Sequence, residues 1–405
     1  MVVSRSLRMP MLSIVIFLVS NVFGSWALVF PITPLLVSTA GGTRFTAGAT
    51  TGVFMAATIV AQLFTPVLLR HYDFRRVVAS GCLLLGLPCL AMVPWSDNIT
   101  TLMMISVVRG TGFGLVTVAC SALPPYLVSK DRLSRAIAAQ GMANAGSQTI
   151  FLLVGLQLYQ STGIVGVSAL ATTMASIAAV AVLGLPQRLY GRSGKQSGSA
   201  PTQGVLKRQF VLVNVAVVGI ASAYGGLSAL IPLVDYPQFP HAGVILAAIG
   251  GAVVAGRFAA GRYAHRTTDH RSASQIGVFA AAVGMMCLYV AALEVHAALA
   301  IALIGGVAFG FGLGWVQNVT LIRVFDSAPA HRVGLASAAW NISMDAGIGL
   351  GSTTMGAMAD HSGYSSALLI ATVAIVLTVA LPLALQQSRK RQDRPTSREE
   401  RASQL

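Results

Sequence analysis

Charge is what this chain has least of. Of 405 residues only 10% are Asp, Glu, Lys or Arg, and only 12 are acidic. A soluble domain carries roughly 25% charged residues, so an ordinary soluble enzyme is excluded. Cysteine is scarce too: Cys82, Cys89, Cys120 and Cys287 all lie in apolar stretches, which predicts no disulfide framework. No compact His/Met/Cys cluster exists, and all seven His fall in loops or at the ends of apolar runs, so neither a metal centre nor a cofactor is expected. Gly305, Gly306, Gly310, Gly312 and Gly314 invite comparison with a phosphate loop, but no P-loop lysine follows them. Close helix packing explains them better. Despite a net charge of +15, the sequence has no basic stripe with interleaved aromatics, and nucleic acid is not an expected partner.

What is present is apolar surface. The chain is 55% hydrophobic with a mean hydropathy of +0.74. Runs of about 20 residues recur from end to end, each long enough to cross a hydrocarbon core of roughly 30 Å. The runs 11–36, 46–69, 77–95, 100–127, 135–158, 163–185, 209–233, 242–264, 274–293, 297–322, 333–358 and 364–386 predict an all-α membrane protein with twelve transmembrane helices. The first run follows Arg5 and Arg8 like a secretion signal, but it is too long and has no clear cleavage site. An even number of spans puts both termini on one side. All Lys and Arg except Arg44 and Arg109 fall in the N-terminus, the even-numbered loops, the 257–271 cluster or the tail. That asymmetry predicts cytoplasmic termini and a multi-pass protein of a bacterial plasma (inner) membrane.

The polar, Gly- and Ser-rich stretch 186–208 differs from every other connection and reads as a flexible linker. It divides a six-helix bundle over 1–185 from a second over 209–386, with a disordered tail over 387–405. The halves repeat at an offset of about 194–198 residues. Arg135 through Asn144 aligns with Arg332 through Asn341, which sets Gln148 opposite Asp345. Gly112-Phe113-Gly114 matches Gly310-Phe311-Gly312, and Trp26 and Tyr224 precede Pro34 and Pro232 in corresponding places.

Leu69-Arg70-His71-Tyr72-Asp73-Phe74-Arg75-Arg76 looks like a degraded loop signature, Gly-x-x-x-Asp-Arg-x-Gly-Arg-Arg. Gly256 through Arg266 looks like its second copy, and Arg109-Gly-Thr-Gly-Phe-Gly114 is similar to a fourth-helix motif, Arg-x-x-x-Gly-x-Gly. On these residues the chain, over about 11–386, resembles the major facilitator superfamily of secondary transporters. The resemblance implies two pseudo-symmetric six-helix bundles and a proton relay that includes Arg109. It also implies a cytoplasmic gate at His71, Arg75, Arg76, His265 and Arg266, with His71 and His265 where the signature has Asp. The Gly-Pro-x-x-Gly-Gly motif of many drug antiporters has no counterpart between Gly141 and Gly155.

Asp345 and Arg109 stand almost alone at membrane depth, where a charge costs a few kcal/mol or more. At 1.5 Å per residue both reach the middle third of the bilayer. Desolvation favours the neutral acid and a nearby cation favours the carboxylate, so Asp345 is expected to bind and release the coupling proton. The alternative is a permanent buried pair or a helix anchor. Arg109 does not deprotonate; it either tunes a carboxylate, holds an anionic substrate, or caps carbonyls and holds its helix in place. Ser337, Asn341 and Asp345 share one helical face, as do Gln140, Asn144 and Gln148. Such stripes face protein or a water-filled cavity. Asn21, Trp26, Asn144, Gln148, Tyr224, Gln317, Trp340 and Asn341 are therefore candidate substrate-binding residues, with interhelical packing as the other reading.

A membrane-embedded enzyme would need a nucleophile–base or metal constellation, and none is visible. The expectation is a monomeric secondary transporter working by alternating access in a lipid bilayer, with a small organic solute and protons as its partners. Efflux of an amphiphilic compound or metabolite by antiport is the first reading. Uptake by symport is the second, with Arg109 holding a carboxylate.

Overall fold

The computed structural model describes residues 8–121, 123, 127–128, 133–185, 208–233, 242–264, 270–293, 297–327 and 333–392. Among them the elements are α1 (Arg8–Val29), α2 (Ile32–Thr39), α3 (Arg44–His71), α4 (Phe74–Gly86), α5 (Pro88–Ala91), α6 (Ile99–Ser121) and α7 (Leu133–Ala181). They continue as α8 (Arg208–Leu230), α9 (Ala242–Ala264), α10 (His270–Ala291), α11 (Ala298–Ser327) and α12 (Val333–Gln392), with single 3-10 turns at Val182–Gly184 and Ile231–Leu233. No strand occurs among the described residues. Ten of the helical stretches are long and apolar enough to cross a membrane. That follows from composition: in hydrocarbon a helix satisfies its own backbone groups, whereas an open strand leaves them bare.

Prolines divide two runs that hydropathy alone reads as continuous. The run 11–36 ends as a helix at Val29 and resumes at Ile32, and 77–95 is interrupted between Gly86 and Pro88. Proline lacks the amide hydrogen and crowds the preceding turn. Two long helices are broken by glycine instead. Gly163 in α7 (φ 64°, ψ −158°) and Gly363 in α12 (φ 82°, ψ 168°) take left-handed φ values that an L side chain resists. Each falls where one expected span gives way to the next. At its far end α12 continues to Gln392, past the expected boundary at 386, because the Gln, Arg and Lys there are good helix formers.

Several large apolar side chains point outward, among them Phe64 at 61% and Phe279 at 72% exposure, as suits a chain solvated by lipid. Inside, α1 packs mainly on α7, α8 on α12, and α9 and α10 on α11. Helices from early and late in the chain meet along two lines, α3 against α12 and α7 against α9. The first is a backbone-to-backbone seam. A Cβ on Gly48 would lie 2.0 Å from the Ser352 carbonyl oxygen, and one on Gly52 would lie 2.2 Å from Thr353 Oγ1.

One end of that seam is latched. The Arg44 amide donates to Asp360 Oδ1 (3.0 Å) and the Phe45 amide to Oδ2 (2.8 Å), so a carboxylate on α12 caps the N-terminus of α3. The Arg44 guanidinium donates to the Ala359 carbonyl (3.1 Å) and lies 4.3 Å from the centre of the Tyr364 ring.

Candidate functional site

Asp345 sits half-buried on α12, at the seam with α3. The Gln62 amide donates to its Oδ2 at 2.7 Å and to Thr117 Oγ1 on α6 at 3.3 Å. Gln62 is 3% exposed, and its Oε1 is buried without a hydrogen-bond partner. Asp345 is thus joined to early-chain helices by a neutral amide, and no ion pair holds it among the described residues.

Arg109 is elsewhere. It is 2% exposed on α6, its Nε donates to the Leu85 carbonyl on α4 (3.1 Å), and its guanidinium lies 5.8 Å from the Phe54 ring centre. Leu85 is next to the interruption before Pro88, and its carbonyl also accepts from the Cys89 thiol (3.6 Å). No ion pair or hydrogen bond joins Arg109 to Asp345. The guanidinium turns instead toward α4, to the Leu85 carbonyl beside the break before Pro88.

A small cavity of about 20 Å³, room for a single water molecule, lies where α7 and α9 meet. Gln148, Thr149 and Leu152 line it from α7, Tyr224 from α8, Gly250 and Val253 from α9, and Leu313 and Gln317 from α11. Three candidate residues, Gln148, Tyr224 and Gln317, are therefore brought together. Asn144 is one turn from Gln148, with its Oδ1 buried and unpartnered. An aromatic series leads to Tyr224 from the other side. Trp26 stacks on Phe113 (5.3 Å, 18°) and lies tilted against Phe30 (4.6 Å), and Phe30 stacks on Tyr224 (6.3 Å, 17°). The Trp26 indole nitrogen is buried without a partner.

Other candidates lie apart from this cavity's lining. Asn21 donates to Phe17 O within α1 (2.9 Å), and the Trp340 indole donates to Thr320 Oγ1 (3.0 Å). Asn341 is half-buried on α12. His71 contacts Val67 O within its own helix (3.0 Å), Arg75 donates to the Leu185 carbonyl, and Arg76 forms an exposed pair with Asp73 (3.7 Å). His265 and Arg266 lie outside the described residues. Among the described residues no group of three His, Cys, Asp or Glu is arranged to hold a metal.

Two residues escaped sequence reasoning. Gln62 is a lone amide in an apolar run, and that was its signal. Arg257 was grouped with the basic cluster 257–271 although it falls inside the run 242–264. In the structure it is half-buried on α9. Its Nε donates to Gln317 Oε1 at 2.8 Å, its Nη2 donates to the same oxygen, and its Nη1 donates to the Gly141 carbonyl on α7 at 3.4 Å.

Ten apolar helical stretches of membrane-crossing length among the described residues mark a multi-pass membrane protein. The chain belongs to the Major Facilitator Superfamily, whose model matches residues 14–352 and 275–405, and it is accordingly a transporter of small molecules and not an enzyme. Its fold is similar to that of a mutant form of the nucleoside transporter NupG, with 13% identity, 93% of this chain and 99% of that one covered, and a TM-score of 0.73. It is also similar to a POT family transporter in complex with a thioalcohol-conjugated peptide, with 10% identity, 93% and 96% covered, and a TM-score of 0.76. No curated protein matches the chain.

Proposed function

We propose that the protein moves a small organic solute across a bacterial inner membrane by alternating access of two six-helix bundles, and that Asp345 carries the coupling proton. The observation that bears this reading is the bond from Gln62 to Asp345 across the α3–α12 seam. A carboxylate held by an amide at a seam between early and late helices changes that contact when it takes up a proton. One proton therefore alters the contact that must break when the seam opens. Twelve spans are supported by the ten apolar stretches together with the breaks at Gly163 and Gly363. The 186–208 linker and the charge asymmetry support two bundles with cytoplasmic termini.

Efflux of an amphiphilic compound by antiport is supported by the aromatic series from Phe113 to Tyr224. Symport of an acidic solute is supported by Arg257, a half-buried cation bonded to Gln317 on the cavity wall. Purified protein in liposomes, given an imposed pH gradient and a panel of drugs and metabolites, decides between them. Proton movement opposite to the solute is expected for antiport and parallel movement for symport. Asp345→Asn is expected to abolish gradient-driven accumulation while leaving exchange down the solute's own gradient. Full gradient-driven transport by that variant would exclude Asp345 as the coupling acid.

A further inference from the structure

We propose that Arg257, Gln317 and Gln148 form a second seam clasp, the counterpart of Gln62, Thr117 and Asp345, and that each clasp is charged on one side only so that its seam can part. This rests on the alternating-access reading above and deepens it.

The correspondence comes from backbone contacts. A Cβ on Gly110 or Gly114 of α6 would strike the carbonyl of Phe54 or Thr58 on α3, and one on Gly310 or Gly314 of α11 would strike that of Ile249 or Val253 on α9. Thr58 therefore matches Val253, and Gly114 matches Gly314. One turn further, at i+4, Gln62 matches Arg257, and at i+3 Thr117 matches Gln317. The side chains keep this register. The Gln62 amide donates to Thr117 Oγ1 (3.3 Å), and Arg257 Nε donates to Gln317 Oε1 (2.8 Å). Across each seam the partners match as well, since the internal repeat sets Gln148 of α7 opposite Asp345 of α12.

The charges do not follow the symmetry. In the α3–α12 seam the neutral amide of Gln62 meets a carboxylate at 2.7 Å. In the α7–α9 seam the neutral amide of Gln148 lines a water-sized cavity together with Gln317, which holds the guanidinium. Both charges stand on helices from late in the chain, and both facing amides stand on early ones. The bonds that cross the second seam also end on neutral groups, from Arg257 Nη1 to the Gly141 carbonyl (3.4 Å) and from Thr149 Oγ1 to the Gly250 carbonyl (3.0 Å). A complete ion pair in a poorly hydrated interior is costly to separate, because each charge is left without its partner. A bond from one charge to a neutral amide gives up less, and a water molecule bridges two polar groups nearly as well as direct contact. One-sided charge holds each seam and lets it go.

The test supplies the missing charge in the purified full chain. Gln148→Glu offers Arg257 a carboxylate, and Gln62→Lys offers Asp345 a cation. Spin labels at the exposed positions Met142 and Phe258 report the α7–α9 seam, and labels at Leu63 and Leu350 report the α3–α12 seam. With native clasps each label pair is expected to give a short and a long distance. Each charged variant is expected to raise Tm and to cut the long-distance fraction at its own seam about 10-fold or more, as a close charge pair implies. Gln148→Lys sets like charges together and should raise that fraction instead. Adding Arg257→Gln to Gln148→Glu should restore it, which separates pairing with Arg257 from a general effect of the new side chain.

Unchanged distances in either folded variant, Gln148→Glu or Gln62→Lys, would overturn the proposal. So would closure of the seam by Gln148→Lys, or a Gln148→Glu seam that stays shut once Arg257 is replaced. If the native clasps alternate and the charged variants do not lock them, the clasp assignment falls and alternating access stands. If the native protein gives a single distance at both seams, both fall.

Discussion

Arg109 and Asp345 are a lesson in what a charge at depth does once its neighbours are known. Arg109 makes its hydrogen bond to a backbone carbonyl beside a helix interruption and is 2% exposed, with Nη2 buried and unpartnered. Arg109→Lys keeps the charge and loses the Nε donor, so it is expected to cost about 1–3 kcal/mol of stability. Thermal unfolding measures this, and the KM of any transported solute should not move. A raised KM with unchanged Tm would show that Arg109 meets the substrate. Asp345 was legible because it is the lone acid in its run. Its partner was not, because Gln62 is 283 residues away and no local pattern encodes that distance. Arg257 was misplaced for a different reason: a basic cluster at a span end conceals a member that begins inside the span.

Among the helices, hydropathy found apolar stretches long enough to cross a membrane, ten among the described residues, and missed where they bend. Pro31 and Pro88 interrupt runs whose side chains stay apolar throughout, so a windowed average passes over them. The seam between α3 and α12 was equally hidden, since glycine spacing does not say which helix will press against it. Its tightness is testable. Gly48→Val would set a branched side chain against the Ser352 backbone, and no flexible side chain stands there to give way. The variant is expected to favour the state in which the Arg44–Asp360 end is parted. A spin-label pair at positions 46 and 361 should report a longer distance, whereas an unchanged distance would show that α12 yields locally. Asp360→Ala removes the cap on Arg44 and Phe45 and should shift the same distance in the same direction, by less.

At the scale of the molecule, the membrane class and the superfamily were readable from composition, charge placement and degraded motifs, and the family match agrees. Solute and direction were not, because those depend on which side chains from distant helices converge. Topology can be checked directly. Single cysteines introduced at Ser193 and Ser397 are expected to resist a membrane-impermeant thiol reagent in intact cells and to react after permeabilisation. Reaction of either in intact cells would refute cytoplasmic placement of that segment. The native thiols of Cys82, Cys89 and Cys120 are buried, and Cys287, which is half-buried, is replaced by Ser in the background for this test.

The glycine seam has a consequence for how an opening pathway would behave. Where two helices meet through leucines, parting them bares hydrocarbon, and a narrow gap of that kind dewets and stays shut to ions and polar molecules. Parting α3 from α12 at Gly48, Gly52 and Gly349 bares peptide groups instead. Those groups keep their own helical bonds and still attract water through the spare lone pairs of their carbonyls. The gap would therefore be wetted from its first ångströms, and the barrier to opening would reside in the latch and the Gln62–Asp345 bond.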